Sequence, residues 1–155
     1  MSKPALLVMD VQASIIANMG DGATQYLDRV KKAISTARQA NIPVMFVVVR
    51  FRKGYPEMNP NNKMFASIRE RFATTAMDEM TSATLPAIEP EGDELVIAKK
   101  RVSAFAGSDL DMILRAQGIT HLILCGVSTS GVVLSTLALR CRSRLCFNRA
   151  SGLLR

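Results

Sequence analysis

With 155 residues, 48% of them hydrophobic and 21% charged, the chain has room for one domain with a substantial core. Its apolar runs are all far shorter than the roughly 20 residues of a membrane span, which excludes a helical membrane protein. The net charge of +7 does not make it a nucleic-acid binder, because five arginines and no acid lie in residues 140–155, leaving +2 for the body. Such a binder carries its basic face on the fold itself.

The elements follow in chain order. Ala5–Met9 is a short apolar run closed by Asp10 and reads as a buried parallel strand. Only Lys3 stands as a charge before it, and five apolar residues are too few for a secretory signal, so the chain reads as cytoplasmic. Tyr26, Val30, Ala33, Ile34 and Ala37 recur at helical spacing, with Asn41 as a stop before Pro43. Val44–Val49 is the second strand. Residues 51–62 are rich in turn formers and are expected to pass over the carboxyl edge of the sheet. Residues 63–82 hold weak helical periodicity. Leu95–Ala98 is the third strand, closed by Lys99 and Lys100. Leu110, Ile113, Leu114 and Gln117 mark a helix with Ser108 as its cap and Gly118 as its exit. Leu122–Cys125 is the fourth strand, and a helix runs from Thr129 to about Arg140. This alternation implies an α/β fold, a three-layer α/β/α, doubly wound and mostly parallel sheet with right-handed crossovers.

Three strand ends therefore deliver a carboxylate, an amine and a small-residue turn, Gly126–Gly131, to the edge where open α/β sheets bind ligands. Each has two readings. Asp10 is a general acid/base or a turn residue after a strand. Lys99 and Lys100 emerge into water, or one turns inward to hold Asp10 ionised. The turn is an ordinary capped helix start, or its free amides cradle an oxyanion. Phosphate-loop and dinucleotide fingerprints are both missing. Of the three cysteines, Cys125 sits inside a strand run and reads as a core thiol, and Cys141 and Cys146 complete an odd set that reads as reduced. His121, the single histidine, has no second ligand at metal-binding spacing.

Taken together, these segments resemble the isochorismatase-like hydrolase superfamily over about residues 4–139. Asp10-Val-Gln12 matches the Asp-x-Gln that ends the family's first strand. The family's lysine lies six residues before a phenylalanine, which selects Lys99 through Phe105. Gly107-Ser-Asp-Leu-Asp111 matches the segment that opens the next helix. The family's nucleophile turn, Gly-Val-x-Thr-x-x-Cys-Val-x-x-Thr, is met by Gly126–Thr136 except that Val132 stands where the cysteine belongs. The resemblance implies a cis peptide at Val127–Ser128 and oxyanion amides at Ser128 and Val132. It implies Asp10 as acid/base, Lys99 as its electrostatic partner, and Gln12, Phe105 and Thr129 lining a pocket for a small-molecule substrate. Arg52 and Tyr55, with Lys53, either meet a substrate carboxylate in that pocket or line a solvated loop.

Valine cannot form the thioester through which the family's amidases act. True isochorismatases, which also lack the cysteine, cleave a vinyl ether with the aspartate as acid. The resemblance thus permits hydrolysis by activated water, or a non-catalytic homologue that keeps the pocket for ligand binding or assembly, and it implies a homo-oligomer; no cofactor, no metal and no nucleic-acid or membrane partner is expected. After Leu139 the match stops. Residues 140–155 form an atypical arginine-rich tail, with the family's last strand and helix missing or altered through truncation or a shifted reading frame. A tail with so few large apolar residues is expected to leave a sheet edge bare for an oligomer to cover, or else to follow a path different from the family's.

Overall fold

Short β-branched and aliphatic runs pair into a single parallel sheet in the computed structural model, which describes residues 2–63, 65–67, 88–140 and 146–154. The strands are β1 (Pro4–Met9), β2 (Val44–Val49), β3 (Leu95–Lys99), β4 (His121–Gly126) and β5 (Cys146–Leu154). Their spatial order is β3-β2-β1-β4-β5, all parallel. The winding reverses between β1 and β4. A crevice at such a reversal, outside the carboxyl ends of the strands, is where doubly wound sheets bind ligands.

The middle strands are buried on both faces, which explains why they read as continuous apolar runs rather than alternating ones. One face packs against α2 (Ala23–Gln39) through Tyr26, Val30, Ile34 and Ala37, the stripe expected from the spacing. The other face packs against α3 (Leu110–Ala116) through Leu110 and Leu114, and against Val132, Val133 and Leu137 after β4. These are the three layers expected. Asn41, at φ 53°, ends the connection from α2, and Gly118, at φ 65°, ends α3. The Ser108 hydroxyl accepts from the Leu110 amide at 3.4 Å, although Asp109 is the residue that flanks the helix.

Two short elements escaped the sequence reading. α1 (Ala13–Ile16) and the 3-10 turn Ala17–Gly22 fill the gap between β1 and α2. Neither is long enough to show periodicity. The turn from Gly126 also departs from a plain helix: Thr129–Val133 is a π turn, and only Leu134–Arg140 (α4) is α-helical. Most of the helical pattern over 63–82 lies outside the described residues. None of the described helices is long and apolar enough to cross a membrane.

The expectation of a bare edge on β4 is corrected. Cys146–Leu154 runs parallel to β4, with His121 opposite Cys146 and Leu124 opposite Arg149, followed by a shift that sets Gly126 opposite Leu154. An edge strand is held by its backbone ladder, and that ladder asks for no apolar periodicity. Arginine content therefore does not prevent the pairing.

At Gly126, β4 leaves no room for a side chain beside β1. A Cβ there would lie 2.7 Å from the Met9 carbonyl oxygen, 3.0 Å from Met9 Cβ and 3.2 Å from Val132 Cγ1. A backbone oxygen in a paired strand cannot step aside. Gly126→Ala should therefore lower stability by about 1–3 kcal/mol in urea unfolding, and an unchanged midpoint would contradict the close approach.

Candidate active site

The site begins where β1 stops. Asp10 adopts a left-handed backbone, φ 59°, which an aspartate tolerates better than most residues. Its amide donates to the Val47 carbonyl at 2.9 Å, so the residue is still fastened to β2 as the chain turns away. Two residues on, Gln12 is fully buried and completes that fastening. Its Oε1 accepts from the Val49 amide at 2.8 Å, and its Nε2 donates to the Val49 carbonyl at 3.3 Å. Gln12, expected in the pocket wall, thus uses both ends of its amide to extend the β1–β2 pairing by one rung.

Lys99 closes β3 and is 1% exposed. Val49 stands opposite it in the sheet, two strands from Asp10, and the lysine side chain spans that gap. Its Nζ lies 2.9 Å from Asp10 Oδ2 and donates to the carbonyls of Val102 at 2.8 Å and Arg101 at 3.0 Å. Three acceptors match the three donors of an ammonium. The register is the expected one: Lys99 meets Asp10, while the Lys100 side chain lies against Gly107.

Burial dominates the charge balance at Asp10. Desolvation pushes its carboxyl up from 3.8 to about 6, against the opposing pull of the Lys99 charge and hydrogen bond. The group is therefore ionised at neutral pH yet close to its midpoint, the range in which a carboxyl both gives and takes a proton. Oδ2 faces Lys99, and Oδ1 is buried with no hydrogen-bond partner among the described residues.

The turn after β4 completes the corner. The Val127 amide donates to the Met9 carbonyl at 3.2 Å, which sets the turn beside Asp10. The peptide Val127–Ser128 is cis, as the resemblance implies. Ser128 Oγ accepts from the Gly131 amide at 3.2 Å and caps the turn. Val132, which the resemblance sets at the family's nucleophile position, is 2% exposed and belongs to the core cluster that also holds Met9, Met45 and Ala104. It is inert as a nucleophile. Thr129 and Phe105 are half-buried, Thr129 on this turn and Phe105 against the core on the Val132 side.

The loop that carries Phe105 is anchored by a residue whose role the sequence did not disclose. Thr136, fully buried on α4, accepts through Oγ1 from the Ala104 amide at 3.0 Å. A buried threonine in a helix announces that it has a partner, but not which one. Arg101 supplies a second anchor. Its Nη2 donates to the Glu57 carbonyl at 2.9 Å, and its guanidinium lies 5.2 Å from the centre of the Phe65 ring. This ties the segment after β2 to the end of β3, the carboxyl edge expected for it.

Arg52 and Tyr55 are not brought to the Asp10–Lys99 pair by any contact the structure shows. Arg52 is exposed and pairs with Glu57 at 2.7 Å. Tyr55, at φ 53°, packs edge-on against Phe51, with ring centres 6.5 Å apart. His121 lies at the opposite end of β4, bonded to Ser2 at 2.7 Å and Thr120 at 3.0 Å, too remote to act here.

Cys125 is a core thiol. It is fully buried, and burial pushes it up to about 12. The side chains of Cys141 and Cys146 lie outside the described residues. If Val132 stands at the nucleophile position, as the resemblance implies, iodoacetamide should leave any hydrolysis by this chain unchanged. Inactivation by the reagent, reproduced by Cys125→Ala, would show the opposite.

Comparison with known proteins identifies the family. The Isochorismatase domain family matches residues 4–139. A ureidoacrylate amidohydrolase RutB of Yersinia enterocolitica is 30% identical over 156 aligned positions, covering 88% of this chain and 68% of that protein. The RutB of Methylobacterium radiotolerans is also 30% identical, and this chain spans 59% of its length. Among solved structures, an N-carbamoylsarcosine amidase of Thermoplasma acidophilum superposes with a TM-score of 0.79 at 26% identity, covering 98% of this chain and 83% of that one. With the fold, the Asp10–Lys99 pair and the cis turn in place, this chain belongs to the isochorismatase family of hydrolases.

Proposed function

We propose that the chain hydrolyses a small molecule without a cysteine nucleophile. Asp10 serves as the acid/base, Lys99 holds its counter-charge, and water is the attacking group. The amides of Ser128 and Val132 face the negative charge that develops on the substrate oxygen. The observation that carries this reading is the buried Asp10–Lys99 pair, 2.9 Å apart, with the carboxyl poised at about 6 and its second oxygen unengaged. A structural ion pair would serve equally well far from neutrality.

The three similar proteins named above carry a ureido substrate in their names, ureidoacrylate or N-carbamoylsarcosine, so ureido acids are the first class to try. On such a substrate, ionised Asp10 takes a proton from water as its oxygen bonds to the carbonyl carbon. The proton then passes to the departing nitrogen. On a vinyl ether, the protonated carboxyl delivers the proton instead. The test is a hydrolysis panel of ureido acids, N-carbamoyl acids and vinyl-ether acids on the parent and Asp10→Asn. Turnover that needs Asp10 supports the reading.

A second reading has its own observation. Val132 is packed into the core, so the position that reacts in a cysteine hydrolase here serves packing. A binding homologue would take up a panel compound without turning it over, and calorimetry on the same compounds separates the two.

A further inference from the structure

Among the described residues, two buried side-chain atoms have no hydrogen-bond partner: Asp10 Oδ1 and the Tyr26 hydroxyl. Asp10 closes β1, and Tyr26 opens the helix α2 that packs on that strand. Tyr26 is fully buried in the first turn of α2, the helix that leads back from the carboxyl edge of β1. It shares a cluster with Val8, two residues before Asp10, with Val11, the residue after it, and with Cys125. Cys125 pairs with Val8, one step below the Met9–Gly126 pair at which Asp10 leaves the sheet. Among the described residues, the ionisable groups that act on Asp10 or Tyr26 are Lys99 from β3, Cys125 from β4 and these two themselves. Burial, then Cys125, then the Asp10 charge push the phenol up, so Tyr26 keeps its proton at any working pH.

The two orphans are complementary. A phenol that keeps its proton is a donor lacking an acceptor, and a carboxylate oxygen is an acceptor lacking a donor. Buried polar groups of this kind are routinely joined by an ordered water. We propose that Tyr26 is a positioning residue for Asp10, its hydroxyl donating through one ordered water to Oδ1. The carboxylate is then held at both oxygens, by Lys99 on one and by α2 on the other. An oxygen with two lone pairs keeps one for the substrate side. This rests on the reading of Asp10 as the acid/base only for its meaning, not for its test.

Tyr26→Phe removes one oxygen and leaves the ring that packs. The Asp10 carboxyl carbon is followed by 13C NMR across pH 4–8 in the parent and in Tyr26→Phe, its signal assigned with Asp10→Asn. Loss of a donor to the ionised form should raise the Asp10 midpoint by about half a unit to one unit, a roughly three- to tenfold gain in proton affinity. The melting temperature should fall. An unchanged midpoint overturns the proposal. A raised melting temperature does too, since deleting a truly orphaned hydroxyl stabilises. Neither readout needs turnover, so a failed hydrolysis panel and a failed Tyr26 role remain distinct results.

Discussion

Asp10→Asn should lower turnover of any substrate found by about 10²–10⁴-fold, the range attributed to a positioned acid or base. The asparagine keeps the size and can still accept from Lys99 through its carbonyl oxygen, but it carries no titrating proton. Far-UV circular dichroism at each pH checks that the folded fraction is unchanged. The pH profile makes the test sharper. Burial sets the Asp10 carboxyl at about 6, so a base role gives a rate that climbs with pH through that value and then levels. An acid role gives the mirror image, falling above about 6. Ureido hydrolysis is expected to follow the first form. An Asp10→Asn protein within twofold of the parent would remove Asp10 from the chemistry.

The same shift has a consequence for stability, with a definite sign. The folded carboxyl titrates at about 6 and the unfolded one near 3.8, so between these values the folded state binds more protons. Stability from this group therefore declines as pH rises through that window, by about 3 kcal/mol for a shift of roughly two units. Above pH 6 the ionised form persists because Lys99 stands against it.

Lys99→Met should lower stability by about 3–5 kcal/mol at pH 8, where it strands a buried carboxylate. The methionine fills most of the volume but none of the three hydrogen bonds to Asp10, Arg101 and Val102. At pH 5 the loss should be smaller, because Asp10 is already largely protonated in the parent and the ion pair has gone. The double variant Asp10→Asn/Lys99→Met should recover part of the loss at pH 8, since no lone charge remains. Urea unfolding of the four proteins at both pH values measures this cycle. A Lys99→Met loss under 1 kcal/mol at pH 8, equal at pH 5, would mean that the pair contributes little.

Much of the layout was legible because it is local. Parallel strands buried on both faces write themselves as apolar runs, and Val44–Val49 was bounded correctly from that alone. The α2 stripe follows from a period of 3.6 residues. The pairing of Asp10 with Lys99 rather than Lys100 came from motif spacing, since both lysines end the same run and local pattern treats them alike. The short α1 and the π turn at Thr129–Val133 left no trace, because four or five residues complete too little of any period to register.

By itself, the sequence determined the alternation of strands and helices, the residues on each buried face, and the valine where the family places its cysteine. Each of these is a property of a few neighbouring positions. The tertiary structure alone decided what depends on distant groups meeting. It brought Thr136 to the Ala104 amide, placed Cys146–Leu154 on the edge of β4, and among the described residues left Asp10 Oδ1 and the Tyr26 hydroxyl buried without a partner. Hydrogen bonds and desolvation act between groups many residues apart, and no periodicity encodes which groups those are.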